Sequence, residues 1–208
     1  RQHMRLLGVF FALCLGTPAT AMIVDGQILR QSGAGAFVVL DPDTPFAVGR
    51  DTFDDDNLYA FYEDQNITLI EPIRVDIGGC SNGVIAAGTV VASHYVFFDS
   101  LSGVQLGYVD FDAPILGVAA FQDTMGATDF LANTDVEYIS TELRGLEQGD
   151  YAWSDEEDPH RLWVYWAGSS PGDYIRVFTS RGSLPNRSIS SAANPSSSTF
   201  VVSSDRRR

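Results

Sequence analysis

The sequence contains no lysine, because all 13 of its basic residues are arginine. Mechanisms that need a lysine, such as Schiff-base chemistry or the phosphate-binding lysine of a P-loop, are therefore excluded. The 27 acidic residues outnumber the basic ones and give a formal net charge of −14. Nucleic acids and anionic lipid surfaces need basic footprints, so we expect neither as a partner. Cations and neutral polymers are compatible with this charge.

A long apolar segment is also missing. The most apolar stretch, Leu6–Leu15, follows Arg5 and precedes the small residues Ala19-Thr20-Ala21. This order is typical of a secretory signal peptide. We therefore expect residues 1–21 to be upstream residues and signal, with a mature chain that starts at Met22 and is secreted or held at a bacterial cell surface. The apolar stretch is too short to cross a bilayer, so we expect no stable membrane span in the mature chain.

Cysteine is scarce as well. Cys14 lies in the signal segment, which leaves Cys80 as the one cysteine of the mature chain. A secreted protein with a single cysteine has no intrachain disulfide framework. The stability of the fold must then come mainly from its apolar core, and pairing of Cys80 between two chains stays open.

The mature chain shows little helical periodicity. β-Branched and aromatic residues occur in short runs, such as Val90–Phe98, Leu106–Phe111 and Ile115–Phe121, with Gly, Ser and Asp between them. This pattern is typical of strands joined by hairpins, and it places the centre of a sheet in this region. An opening hairpin is expected within residues 22–40 and a closing hairpin within residues 162–179.

Together these runs predict an all-β fold, an antiparallel β-sandwich of jelly-roll type in residues 22–182, with about ten strands. One short helix is expected within Thr124–Asn133. Residues 183–208 are rich in Ser, Asn and Arg. Because such a segment has little apolar surface to bury, we expect a disordered tail there.

An acid-rich loop supplies the first candidate site. Its potential ligands are Asp51, Asp54, Asp55, Asp56 and Asn57. Calcium prefers six to eight oxygen ligands from flexible loops, and clustered Asp and Asn residues supply them, although the order of an EF-hand is absent. The loop therefore predicts a structural calcium ion. A solvated acidic loop, partly neutralised by Arg50, is the alternative.

A second acidic loop, Asp155-Glu-Glu-Asp158, precedes His160. Carboxylates beside an imidazole can hold a transition metal. Residues that are adjacent in sequence cannot all point at one centre, however. We therefore interpret this segment as a solvated surface loop.

Two patterns associated with serine hydrolases do not predict catalysis. Gly168-Ser-Ser-Pro-Gly172 matches the nucleophile-elbow pattern, but Pro171 has no N–H to donate to an oxyanion. The residues that follow alternate like a strand, so we predict a hairpin turn. His94 lies in an apolar strand and is expected to be a core histidine with a hydrogen-bond partner. No catalytic residue is assigned.

Aromatic residues are the remaining signal for a ligand. In Leu162–Trp166, alternation places Trp163 and Tyr165 on one face of a strand. Trp153 is predicted to lie in a polar loop, where we expect it at the surface. Sugar rings stack on exposed Trp and Tyr rings while acidic and amide groups bind the hydroxyls. The candidate ligand-binding residues are thus Trp153, Trp163 and Tyr165, with a strand buried on both faces as the alternative.

Four segments carry a resemblance to known proteins. They are Gly88–Asp99, Gly107–Gly117, Arg144–Glu147 and Pro171–Thr179. In these segments the chain resembles a group of uncharacterised secreted bacterial proteins, many of which end in a PEP-CTERM sorting signal. Of that signal the chain shows the cluster Arg206-Arg-Arg208, without the Pro-Glu-Pro motif or the apolar span. The resemblance implies an exported protein of the cell surface or matrix, and it assigns no catalytic residue.

These observations favour a non-enzymatic extracellular binding or matrix module for polysaccharide, with a structural calcium ion. A secreted hydrolase that acts on polysaccharide through paired carboxylates is an alternative, and a purely structural envelope protein is another. Two converging carboxyl groups in a concave face would favour the hydrolase. An exposed row of Trp163 and Tyr165 would favour the binding module.

Overall fold

The computed structural model of the chain describes residues 20–49, 52–79, 82–169 and 172–182. Most of the predicted signal segment and the whole predicted tail, residues 183–208, lie outside these ranges. The other positions outside them are Arg50, Asp51, Cys80, Ser81, Ser170 and Pro171.

Fifteen strands occur in the described residues. They are β1 (Ile23–Gln31), β2 (Phe37–Leu40), β3 (Phe46–Val48), β4 (Leu58–Tyr62), β5 (Ile67–Thr68), β6 (Ile73–Arg74), β7 (Ile77–Gly78), β8 (Val84–Ile85), β9 (Val90–Phe98), β10 (Ser102–Phe111), β11 (Ile115–Ala119), β12 (Val136–Tyr138), β13 (Tyr151–Ser154), β14 (Arg161–Ser169) and β15 (Asp173–Ser180). Several of these strands are only two residues long, which is why the sequence indicated fewer.

One α-helix, α1 (Gln122–Ala127), follows β11 and is continued by a 3₁₀ turn at Asp129–Leu131. The predicted helix thus begins slightly earlier and is shorter than expected. A second 3₁₀ turn occupies Thr141–Leu143. In the part of the chain that the structure describes, no helix has the length and apolar character needed to cross a membrane.

Two sheets form the body of the fold. One has four strands in the order β1-β10-β14-β13, and the other has seven, with β2-β4-β9-β15-β11-β7 in a row and β5 also paired to β9. Side chains of β10 and β14 meet side chains of β4, β9, β11 and β15 in one buried cluster. The fold is therefore an all-β sandwich, as predicted. Most strand pairs are antiparallel, but β2 pairs with β4 in parallel, as does β3 with β12.

Strands β9 and β15 lie at the centre of the seven-stranded sheet and are buried on both faces. One face meets the four-stranded sheet. The other face, which includes Tyr95, Phe97 and Phe178, is covered by Met125 of α1 and Val136 of β12, among others. Burial on two faces explains why the sequence of β9 is almost continuously apolar.

The predicted hairpins are wrong. Strands β1 and β2 lie in different sheets, and so do β9 and β10, β10 and β11, and β14 and β15. Each connection crosses from one sheet to the other, including the predicted hairpin turn near Gly172. At the first crossing, an ideal Cβ on Gly33 would lie 1.5 Å from Asp56 Oδ2, and one on Gly35 would lie 1.6 Å from the Asp56 carbonyl oxygen. These glycines therefore allow the acidic loop to approach the backbone closely, and do not form a hairpin turn.

Candidate binding face

The outer face of β14 carries two of the aromatic residues that the sequence singled out. Trp163 and Tyr165 are partly exposed, whereas Leu162, Val164 and Trp166 are fully buried in the cluster between the sheets. Alternation along a strand separates the two sets, as predicted. The four-stranded sheet thus has an apolar inner face and an aromatic outer face.

Neighbouring strands extend this outer face. Trp153 lies in a strand and not in the predicted loop, because β13 pairs with β14 along its whole length. On β13, Trp153 lies opposite Trp163 and Tyr151 lies opposite Tyr165. On β10, Tyr108 lies opposite Trp163 from the other side. Trp153 is 41% exposed and Tyr151 is 63% exposed. We call these five residues, Tyr108, Tyr151, Trp153, Trp163 and Tyr165, the aromatic face.

The rings of the aromatic face contact one another across the strands. The ring centroids of Trp153 and Trp163 are 6.1 Å apart, with planes 10° from parallel. Tyr108 meets Trp163 edge-on at 5.3 Å, and the centroids of Tyr151 and Tyr165 are 6.1 Å apart. Such cross-strand pairs stabilise a sheet and hold each ring in a defined position. A ligand would therefore meet rings that are already ordered.

Charged groups frame the aromatic face. Arg161 forms two hydrogen bonds of 2.7 Å to the Asp110 carboxylate, and its guanidinium carbon lies 3.9 Å from the centroid of the Tyr108 ring. The hydrogen bond to Asp110 raises the pKa of Arg161. The indole N–H of Trp163 donates to Asp155 Oδ2 at 2.9 Å, and this bond lowers the pKa of Asp155. Both residues therefore stay charged near neutral pH, and both are held by partners within the protein.

The loop Asp155–Asp158 is organised by its own hydrogen bonds. Asp155 Oδ1 accepts the backbone N–H groups of Glu157 and Asp158. Asp158 Oδ1 accepts the N–H of His160, whose Nδ1 lies 3.1 Å from the carbonyl oxygen of Phe111. The imidazole thus contacts the backbone and not the loop carboxylates, which agrees with a surface loop that positions Trp163.

In the first acidic loop, Asp55 is held by donors of the protein itself. Its carboxylate accepts hydrogen bonds of 2.6 to 2.9 Å from the Asn57 backbone N–H, the Asn57 side-chain amide and the Tyr59 hydroxyl. Asn57 Oδ1 accepts the N–H of Ala36. Two of the predicted calcium ligands therefore fix the loop to β2 and β4.

The remaining acids of this loop are arranged differently. Asp56 accepts hydrogen bonds from the Ala34 N–H and the Ser100 hydroxyl, and Asp54 adopts a left-handed backbone conformation with φ of 48°. Within the described ranges, no group of three or more His, Cys, Asp or Glu side chains could hold a metal ion. Asp51 lies outside those ranges, so the calcium site stays a prediction.

A large cleft of about 980 Å³ lies between residues 67–76 and α1 with its following turn. Its rim carries Ile70, Phe121 and Phe130, which are 94%, 53% and 59% exposed. Asp76, in its lining, accepts the N–H groups of Ala120 and Phe121 and so holds the start of α1. None of the residues that the sequence singled out as site residues lines this cleft.

Two buried carboxyl groups lie close together, Asp150 just before β13 and Asp173 at the start of β15. Asp150 is 7% exposed and accepts the N–H groups of Glu147 and Ala167 at 2.7 Å. Asp173 is 2% exposed. Burial and the neighbouring carboxylates of Asp150 and Glu147 raise the pKa of Asp173 to about 9. Asp173 is therefore protonated at neutral pH. Since both groups are buried, substrate has no access to this pair.

A buried ion pair between Arg176 and Glu63 was not predicted from the sequence. Arg176 of β15 is fully buried, and its guanidinium forms two hydrogen bonds, of 2.7 and 2.9 Å, with the carboxylate of Glu63. Its remaining nitrogen donates to the carbonyl oxygen of Met125, to Thr128 Oγ1 and, at 3.1 Å, to the partly exposed carboxylate of Asp129. The pair thus joins the seven-stranded sheet to the end of α1. A lone arginine in an alternating strand gives no sign of this.

His94 is a fully buried histidine of the core, as predicted. Its Nε2 lies 3.0 Å from Thr179 Oγ1, and burial lowers the pKa of His94 to about 3. The ring is therefore neutral at physiological pH, and its burial separates it from any substrate. Ser170, the serine of the nucleophile-elbow pattern, lies outside the described residues.

The aromatic face thus brings together all three predicted ligand-binding residues and adds Tyr108 and Tyr151.

Comparison of the chain with protein-family models, with curated proteins and with solved structures found no match.

Proposed function

We propose that the chain is an exported, non-enzymatic module of the extracellular space or cell surface that binds polysaccharide through the aromatic face. The observation that carries this proposal is the set of five aromatic side chains on one outer sheet face. Sugar rings present an apolar C–H surface that packs on aromatic rings, while Tyr hydroxyls and nearby carboxylates bind the sugar hydroxyls. Exposed apolar patches of this kind mark interaction sites.

The competing hydrolase would need two carboxyl groups that reach the substrate from opposite sides of a cleft. Asp150 and Asp173 converge but are buried. Asp110 and Asp155, beside the aromatic face, are engaged by Arg161 and Trp163. These arrangements favour binding over catalysis. In a purely structural envelope protein the cross-strand pairs would stabilise the sheet, but that role does not require Tyr151 and Trp153 to be exposed.

Three finer features belong to the same proposal. Export rests on the signal-like pattern of residues 1–21 and on the resemblance to secreted bacterial proteins. The arrangement of the two sheets is taken to be of jelly-roll type. A structural calcium ion in the loop from Asp51 to Asn57 would stabilise that loop where its acids repel one another.

Loss of rings from the aromatic face tests the proposal. The purified chain should bind insoluble polysaccharide in a depletion assay, and Trp153→Ala and Trp163→Ala should each weaken binding about tenfold, because each removes one stacking surface. The double variant should bind less than either single variant.

The matched control for these variants is Phe130→Ala, which removes a similarly exposed ring from the cleft on the opposite side. This variant should bind like the unchanged protein. Circular dichroism of each variant establishes that it is folded. Equal binding by the unchanged protein and the Trp153/Trp163 double variant would refute the proposal.

A thermal melt tests the calcium feature separately. A ligand that binds only the native state raises the melting temperature as its concentration increases. We expect calcium to raise the Tm, EDTA to reverse this, and Asp54→Ala combined with Asp51→Ala to abolish it. The control is Asp123→Ala, an exposed acid of α1. An unchanged Tm would contradict the calcium site and leave the acids as a solvated loop.

A further inference from the structure

We infer, resting on the proposed function, that the ligand of the aromatic face is a neutral and insoluble polysaccharide whose ordered chains present flat apolar sugar surfaces. The proposed function requires only that some polysaccharide is bound. The charges around the face and its shape narrow the class of ligand further.

Charge disfavours polyanions such as uronate-rich or sulfated chains. The four-stranded sheet has two basic residues, Arg30 and Arg161, and Arg161 is already bound to Asp110. Asp155, which begins a loop of four acidic residues, is fixed beside Trp163. Together with the net charge of −14, these acids repel a polyanion.

The cation in contact with the face is paired within the protein. The guanidinium carbon of Arg161 lies 3.9 Å from the Tyr108 ring centroid and 5.6 Å from that of Trp163, and the guanidinium is bound to Asp110. The rings of Trp153, Trp163 and Tyr165 are uncharged, and the nearest cation, Arg161, is neutralised by Asp110. Binding should therefore depend on stacking and apolar contact and very little on salt. A cationic polymer would instead bind through the peripheral acids, and added salt would weaken it.

Shape favours an ordered surface over a single soluble chain. The rings project from three adjacent strands, β10, β14 and β13, which lie about 4.8 Å apart. The clefts found in the described residues lie elsewhere, beside α1 and beside β12. An open sheet face outside any cleft contacts only one side of a free chain, which must also lose torsional freedom on binding. Chains in a crystalline surface are already ordered, and several of them meet the sheet face at once.

The test compares polysaccharides of different charge and order. Depletion of the full chain is measured on microcrystalline cellulose, crystalline chitin, insoluble chitosan and cross-linked polygalacturonate, at low and at high salt, with and without soluble cello-oligosaccharide or chito-oligosaccharide. We expect binding to cellulose or chitin that high salt leaves unchanged within about twofold and that the oligosaccharides fail to displace. The Trp153→Ala/Trp163→Ala variant should lose this binding, and Phe130→Ala should retain it.

Other outcomes distinguish an error in the class of ligand from an error in the proposed polysaccharide binding. Binding to polygalacturonate or chitosan that salt abolishes, or displacement by soluble oligosaccharide, would overturn the inference about ligand class and leave polysaccharide binding intact. Failure to bind any of the four polymers would overturn the proposed function itself. Light scattering then shows whether the aromatic face pairs two copies of the chain, since a dimer dispersed by the Trp153/Trp163 variant would assign the face to self-association.

Discussion

Replacing Glu63 with glutamine should destabilise the fold by about 3–5 kcal/mol, because the change leaves a buried guanidinium without its main counter-charge. The side chains of both Glu63 and Arg176 have no exposed surface. For a chain of this size we expect the melting temperature to fall by roughly 10 °C or more. Chemical denaturation followed by tryptophan fluorescence measures the change in the free energy of unfolding.

The size of this effect follows from how completely the pair is bonded. Both Glu63 oxygens accept from Arg176, and they also accept from the hydroxyls of Ser93 and Tyr138, at 2.6 and 2.8 Å. Burial and the Glu63 carboxylate raise the pKa of Tyr138, so its hydroxyl stays protonated and donates. Burial alone would lower the pKa of Arg176, but the Glu63 carboxylate outweighs it and the net shift is upward. Arg176 therefore stays charged, and it cannot lower the cost of its burial by losing a proton.

Two controls distinguish an unpaired buried charge from a general loss of packing. Glu63→Leu combined with Arg176→Met replaces both partners with apolar groups and should recover much of the lost stability. Asp110→Asn breaks the surface pair with Arg161 and should cost about 1 kcal/mol or less. If the apolar double variant is as unstable as Glu63→Gln, the pair itself is a net source of stability, and the burial explanation is wrong.

Strand content and side-chain alternation could be predicted because they are local properties. The two-residue period in Leu162–Trp166 follows from strand geometry alone, and the structure places Trp163 and Tyr165 outside and Trp166 inside, as that period requires. The buried character of Val90–Phe98 is equally local. The fold class and part of the aromatic face were therefore accessible from the sequence.

The sheet to which each strand belongs could not be predicted. A strand with one buried face shows the same alternation whether it pairs with its neighbour in sequence or crosses to the opposite sheet. The short connection between β9 and β10 looks like a hairpin loop but is a crossing. Tyr108 and Tyr151 were missed for this reason, since only the register of β10 and β13 against β14 brings them to Trp163 and Tyr165.

Buried ionisable residues were inaccessible for a related reason. Arg176 and Asp173 point to opposite faces of β15, because side chains alternate along a strand, and both of these faces are buried. Arg176 is covered by α1, whose Met125 carbonyl oxygen accepts from it across 51 residues of sequence, and Asp173 lies beside Asp150 and Glu147. Glu63 and Asp150 are partners that only the folded arrangement reveals. Mutations in buried pairs of this kind should therefore have the largest effects on stability, although the sequence alone gives no sign that these residues are buried.

The stability of the fold should decline as pH rises above about 6.5, chiefly because of Asp173. The pKa of Asp173 is about 9 in the folded protein, well above its ordinary value of 3.8. The folded state therefore binds this proton more tightly than the unfolded state does. The stabilisation is complete below about pH 4 and is lost as pH rises towards 9, with a slope of at most about 1.4 kcal/mol per pH unit.

At lower pH, His94 has the opposite effect on the free energy of unfolding, and the two groups together determine how stability depends on pH. Its folded pKa of about 3 lies below the ordinary 6.5, so its contribution is complete above about pH 6.5 and is lost as pH falls. The two slopes offset each other between about pH 4 and 6.5, where we expect a plateau. Denaturant midpoints measured across this range should show a plateau followed by a decline.

Asp173→Asn should flatten the decline above about pH 6.5, because the amide has nearly the same shape as the carboxyl group and cannot ionise. Near pH 8 this variant should be more stable than the unchanged chain. Asp123→Asn, at an exposed carboxyl of α1, should leave the profile unaltered. A decline that persists in Asp173→Asn would place the responsible proton on another group. In that case Asp173 would already be ionised in the folded protein at neutral pH.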